Sequence, residues 1–276
     1  MTGQYLEVDS GLTLHYETAG SGDRVILLIP GWTMSTRVFE RQLEAFQSST
    51  EFRFVTYDPR AQGLSSKTTD GHYYEQHGRD LHAFIEALDL EGIVLGGWSF
   101  GTLEALAYIE QFGADRLDGL IMLDGPPRAT GEDNQQDWVT YRYDDADGQQ
   151  SFYTLDRLRR PELANREFSS WMLEDPSEEK IEWVLEITRQ MPNEAAALLN
   201  ATSVFLDYRE TLIALHERVP LWYLVRADQK DIVANWAKTN TPTARVDAYG
   251  EHLMFWERAD EFNADLIEFA RHCASA

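Results

Sequence analysis

Apolar residues come first in short runs bounded by turn formers, then in one-sided helical stripes, then in short runs again. Residues 5–17 alternate around Tyr5-Leu6-Glu7-Val8 and Leu12-Thr13-Leu14-His15-Tyr16-Glu17 with Ser10-Gly11 between them. That pattern predicts a hairpin and puts His15 on a solvent-facing strand. Val25-Ile26-Leu27-Leu28-Ile29, the stretch 52–57, Ile93-Val94-Leu95 and 117–123 are runs of the kind buried on both faces of a parallel sheet. Residues 38–46 and 74–88 carry helical spacing, the latter with Leu81, Phe84, Ile85 and Leu88 on one face. From Arg128 to about His216 the two-residue period gives way to helical stretches at 152–159, 162–173, 178–190 and 194–205. Strand-like runs return at 221–225 and 244–249, and 262–272 closes the chain as a helix. The pattern predicts an α/β fold, a mostly parallel central sheet flanked by helices. Residues 1–127 and 214–276 form its core and 128–213 an inserted helical cap, with the polar segment 131–150 as a mobile loop.

Composition narrows the partners. A net charge of −23 and a pI near 4.6 argue against nucleic acid or an anionic membrane, both of which reward clustered Lys and Arg. Only four of the 24 basic residues are Lys; such a surface suits a saline host, and a genome favouring Arg codons explains it equally well. No run of 18 apolar residues occurs, and Met1-Thr2-Gly3-Gln4-Tyr5 lacks the layout of a signal peptide, so a cytoplasmic protein is expected. A lone Cys273 in a terminal helix fits a reducing compartment and has no strand-turn context for a nucleophile.

Gly97-Trp98-Ser99-Phe100-Gly101 follows the run 93–95 and leads into helical spacing at 102–109. A strand running straight into a helix must turn sharply at Ser99, with small residues on either side, which exposes its hydroxyl beside a helix N-terminus able to stabilise an oxyanion. Serine is a weak nucleophile and needs a base, itself oriented by a carboxylate. His252, in Gly250-Glu251-His252 just after the last strand, lies at the strand-end face where Ser99 belongs. His72, His77 and His82 have no convincing acidic or Cys co-ligands, so they are read as solvated helix residues, and no metal is expected.

Pro30-Gly31-Trp32, Asp58-Pro59-Arg60-Ala61-Gln62-Gly63-Leu64-Ser65, the Ser99 turn, and Gly250-Glu251-His252 with Phe255-Trp256-Glu257 together resemble the α/β-hydrolase family along nearly the whole chain. Pro30 and Ala61 depart from its usual His and Gly. The resemblance implies Ser99 as nucleophile, His252 as general base and acid, and the backbone N–H groups of Trp32 and Phe100 as oxyanion hole. Most members carry the acid after the strand that follows the cap, which offers Asp228 and Asp231; a variant places it after the strand that follows the elbow helix. Asp124 stands there, ending a buried apolar strand before Gly125-Pro126-Pro127, and is preferred over the other two. The expected activity is a cofactor-free serine hydrolase, monomer or homodimer, cleaving small apolar esters or lactones. Trp32, Trp98, Trp138 and Trp171 are the expected pocket residues, with Trp183 and Phe152 as further cap aromatics. Two alternatives stand: a cofactor-free dioxygenase on this fold, although Trp98, Phe100, Thr33 and Met34 occupy positions where such enzymes carry polar groups, and a signal-binding protein that closes without turnover.

Overall fold

A computed structural model of the protein describes residues 3–9, 11–132, 137–142 and 151–274. Strands β1 (Gln4–Asp9), β2 (Leu12–Ala19), β3 (Arg24–Ile29), β4 (Phe52–Tyr57), β5 (Ile93–Trp98), β6 (Leu117–Leu123), β9 (Leu221–Val225) and β10 (Arg245–Ala248) form one sheet in the order β1-β2-β4-β3-β5-β6-β9-β10. Only the β1–β2 and β2–β4 pairings are antiparallel. Leu27, Leu95, Leu120 and Leu221 stand in register across four parallel strands, a buried row that explains why these strands read as aliphatic runs. Helices α1 (Glu40–Phe46), α2 (Tyr74–Ala87) and α3 (Gly101–Phe112) follow β3, β4 and β5. The stripe Leu81, Phe84 and Ile85 of α2 is fully buried.

Beyond β6 the chain leaves the sheet. It forms a small parallel pair, β7 (Arg128–Gly131) with β8 (Val139–Arg142), where only helices were expected; four residues are too few to show alternation. A π-type turn, Ser151–Asp156, runs into a single turn, Arg157–Arg159, in place of a regular helix at 152–159. Helices α4 (Pro161–Trp171), α5 (Glu178–Thr188), α6 (Asn193–Ser203) and α7 (Arg209–Leu215) follow before β9. Most of the expected loop at 131–150, and the side chain of Phe152, lie outside the described residues. After β9 comes α8 (Lys230–Asn240), which buries only Val233, Trp236 and Ala237 and shows no clear stripe in sequence, and α9 (Ala259–Cys273) ends the chain. Among the described residues no helix is long and apolar enough to cross a membrane.

Several hydrogen bonds fasten the helical segment to loops at the strand ends. Trp32 Nε1 donates to the Ala196 carbonyl (2.8 Å), Thr188 Oγ1 to Thr33 Oγ1 (2.8 Å), and the Leu253 N–H to the Met172 carbonyl (3.0 Å).

The histidines depart from expectation. His15 is buried, because β2 lies between β1 and β4 and its end packs under the loop after β4, where His15 Nδ1 bonds Asp58 Oδ2 (2.9 Å). His77 is buried against Glu104 Oε2 (3.0 Å), with Tyr57 donating to the same carboxylate. His72 is buried against the Thr68 carbonyl, and His82 stacks on Phe112 at 3.9 Å. His77 and His82, the two that lie on α2, meet Glu104 and Phe112 of α3 instead of water.

Candidate active site

Ser99 turns the chain between β5 and α3 with φ 54°, a left-handed conformation that costs a non-glycine residue about 1–2 kcal/mol. Its N–H donates to the Leu123 carbonyl (2.7 Å), so neighbouring strand β6 pins the turn. The flanking glycines are required by close approach: a Cβ on Gly97 would meet the Gly101 carbonyl carbon at 2.3 Å, and one on Gly101 would meet the Ile29 oxygen at 2.6 Å. The Pro30-Gly31-Trp32 loop runs directly against the serine, where a Cβ on Gly31 would lie 3.0 Å from Ser99 Cβ.

Asp124 is the first residue past β6, also left-handed at φ 45°, with its N–H on the Leu224 carbonyl (2.8 Å). Its Oδ2 accepts from His252 Nδ1 at 2.5 Å, and both side chains are buried, 7% and 5% exposed. Burial works against ionising Asp124, but the His252 hydrogen bond and the Arg226 charge outweigh it and hold the carboxyl below its usual range. Asp228, in the turn Ala227–Gln229, and Asp231, in the first turn of α8, are both exposed; Asp228 bonds Gln229 and approaches Arg226 Nε at 3.8 Å. The structure thus brings Asp124, and neither later carboxylate, to His252.

Ser99, Phe100, Asp124 and His252 share one cavity of about 340 Å³ with Trp32, Trp138 and Trp171. Trp98 is not among its lining residues. It points into the sheet side, 1% exposed, packs on Phe255, and donates from Nε1 to the His252 carbonyl (2.8 Å), so it supports the histidine loop from behind. Trp183 stacks on Trp256 at 4.5 Å and stays outside the cavity. Phe168, Tyr141, Asn200 and Arg226 line the cavity without having been singled out in sequence. Phe168 was findable, three residues before Trp171 on the same face of α4. Arg157 also escaped notice. It is 1% exposed, sits 4.7 Å over the Trp32 ring and donates to Thr188 Oγ1 (3.0 Å), and burial with no carboxylate partner among the described residues pulls its guanidinium down to about 9. Burial likewise pushes the Cys273 thiol up to about 12, far from any thiolate role.

A family model described as the alpha/beta hydrolase fold matches residues 24–160. The chain has the α/β-hydrolase fold. Over 121 residues it is 32% identical to the AB hydrolase superfamily protein YisY of Bacillus subtilis, covering 44% of each chain. It is 28% identical over 124 residues to the bifunctional esterase/perhydrolase DCH of Acinetobacter calcoaceticus, covering 45% of each. The matched stretch spans less than half the length of these curated relatives. Over nearly its whole length the fold superposes on a bromoperoxidase from Bacillus anthracis, with TM-score 0.85 and 22% identity, covering 98% of this chain and 100% of that one. That likeness is one of α/β-hydrolase architecture.

Proposed function

We propose that the protein is a serine hydrolase of small apolar carboxylic esters or lactones, working through an acyl-enzyme on Ser99. The observation that carries this reading is the His252–Asp124 hydrogen bond beside an elbow serine in one cavity. With Nδ1–H given to Asp124, His252 presents unprotonated Nε2 as the base for the Ser99 proton, then returns that proton to the leaving oxygen. Backbone N–H groups of Trp32 and Phe100, at the loop and helix end that flank Ser99, are the donors for the tetrahedral oxyanion. Water, activated by the same histidine, releases the acid. Residues 128–213 serve as the cap, contributing Trp138, Phe168 and Trp171 as apolar walls for the acyl or alcohol group. A lone buried Cys273 supports a cytoplasmic setting.

Ser99→Ala lowers turnover of p-nitrophenyl acetate or butyrate on the order of 10³-fold or more. Comparable rates in wild type and variant would sink the mechanism, and a panel of neutral and charged esters and lactones defines the substrate. The relative named a bifunctional esterase/perhydrolase favours one addition to that panel. Hydrogen peroxide in place of water would take the acyl group from Ser99, giving a peracid and the free hydroxyl.

A further inference from the structure

Four side chains close a ring behind the nucleophile. His252 Nδ1 donates to Asp124 Oδ2, Arg226 Nε lies 3.2 Å from that same oxygen, the Arg226 guanidinium lies 5.1 Å from the Trp171 ring centre, and Trp171 lies 4.8 Å from the His252 ring. The backbone N–H of Arg226 adds a hydrogen bond to Asp124 Oδ1 at 3.2 Å, so each carboxylate oxygen has a contact from this one residue. Sheet register sets this up. Leu123 pairs with Leu224, which leaves Asp124 and Arg226 as the residues leading off the ends of two adjacent parallel strands. In the commoner arrangement that the resemblance describes, the loop after this later strand supplies the acid; here its first residue supplies a cation instead.

We propose that Arg226 is a positioning residue of this site: it orients and charge-balances Asp124 from the strand next to it and, stacked on Trp171, shields the Asp124–His252 pair from water. The assignment rests on the serine-hydrolase reading above. A carboxylate 7% exposed is costly to keep without a counter-charge, and a neutral imidazole supplies none. Among the described residues, Glu251, Asp228 and Glu174 add acidic groups near the pair. Glu251, beside His252, has its carboxyl pushed up, by burial first; Asp228 lies 3.8 Å from Arg226 Nε; and Glu174, just beyond α4, acts on Glu251 while held by Arg258. Removing the Arg226 charge therefore favours the protonated form of the pair, and the acid limb of activity moves to higher pH. Removing the Asp228 charge moves it the other way, by less.

The test uses full-length Arg226→Gln and Arg226→Lys, with three readouts: kcat/KM against pH on p-nitrophenyl butyrate, NMR titration of the His252 ring, and thermal melting. Arg226→Gln is expected to lose about tenfold or more in kcat/KM at pH 7 and to shift both the acid limb and the His252 titration up by about one pH unit. Arg226→Lys restores the position of the limb but not the full rate, because an ammonium keeps the charge and loses the planar fork. A folded Arg226→Gln with limb and titration unmoved overturns the proposal. So does equal loss in Gln and Lys variants that follows melting temperature alone, which is the mark of a merely structural role. The NMR titration reads the pair whatever Ser99→Ala does, so an active Ser99→Ala sinks the serine reading while an unmoved titration sinks only the role of Arg226.

Discussion

The molecule contains two buried aspartates built almost alike. Asp58 is the first residue past β4 and Asp124 the first past β6, and each takes the Nδ1 of a histidine brought from a distant strand or loop. They differ in what surrounds the pair. Asp58 Oδ1 accepts from the Thr36 N–H (2.6 Å) and Oδ2 from the Leu64 N–H (2.7 Å), while His15 Nε2 lies so close to Gly3 that a Cβ there would come within 2.1 Å. That carboxylate knits two loops to the sheet, and β1 covers its histidine. Asp124 meets Arg226, and His252 lines the cavity that Ser99 lines. A buried histidine–carboxylate pair is thus a common structural device; access of the second ring nitrogen to a nucleophile and a substrate space is what makes one pair a candidate for chemistry.

Three measurements bear on that contrast. Asp124→Asn is expected to lower ester turnover on the order of 10⁴-fold, the scale of losing the group that fixes the tautomer of a catalytic histidine, while Asp228→Asn and Asp231→Asn stay within a few-fold of wild type. The reverse pattern would move the acid to the later strand. Asp58→Asn acts on stability, because Thr36, Leu64 and His15 all lose an anionic acceptor in the interior. Urea unfolding should show a loss of about 3 kcal/mol, with kcat of the folded protein within several-fold of wild type. An Asp58→Asn protein that is inactive with an unchanged midpoint would erase the distinction between the pairs. The smallest effect concerns His15. Burial pulls its pKa down, but the Asp58 hydrogen bond and charge more than reverse this, so the folded value is raised. The stability it contributes is fully present below the unfolded value near 6.5 and is lost as pH rises through the higher folded value. Wild type minus His15→Gln, measured by urea unfolding, is therefore larger at pH 5.5 than at pH 9, by about 1 kcal/mol or less; a flat or inverted difference would count against a charged His15.

The sheet was legible because parallel strands covered on both faces must be aliphatic throughout, and Ser99 because its turn demands glycines two residues away on both sides. His252 was legible from its place after the last strand. Alternation misled on His15, since a polar residue pointing off a hairpin reads as solvated unless the loop that covers it is known. Trp98 was expected in the pocket on proximity to Ser99, but the turn at Ser99 sends the preceding side chain away from the cavity. Arg226 left no pattern at all. Its role exists only through the register of β9 against β6, a fact of pairing and not of local sequence. β7, β8 and α8 were missed because each buries too few side chains to impose a period.

The bonds from the helical segment to the strand-end loops carry a consequence for how the molecule fails on heating. Trp32 and Thr33, on one side of Ser99, hold Ala196 and Thr188; Leu253, on the other, holds Met172. An opening confined to α4, α5 and α6 would release the Trp32–Thr33 loop and the Leu253 loop together while the eight-stranded sheet stays paired, and local openings of this kind cost less than global unfolding. Inactivation and loss of the sheet then become two separate events on a temperature ramp, the first set by the weaker, peripheral layer.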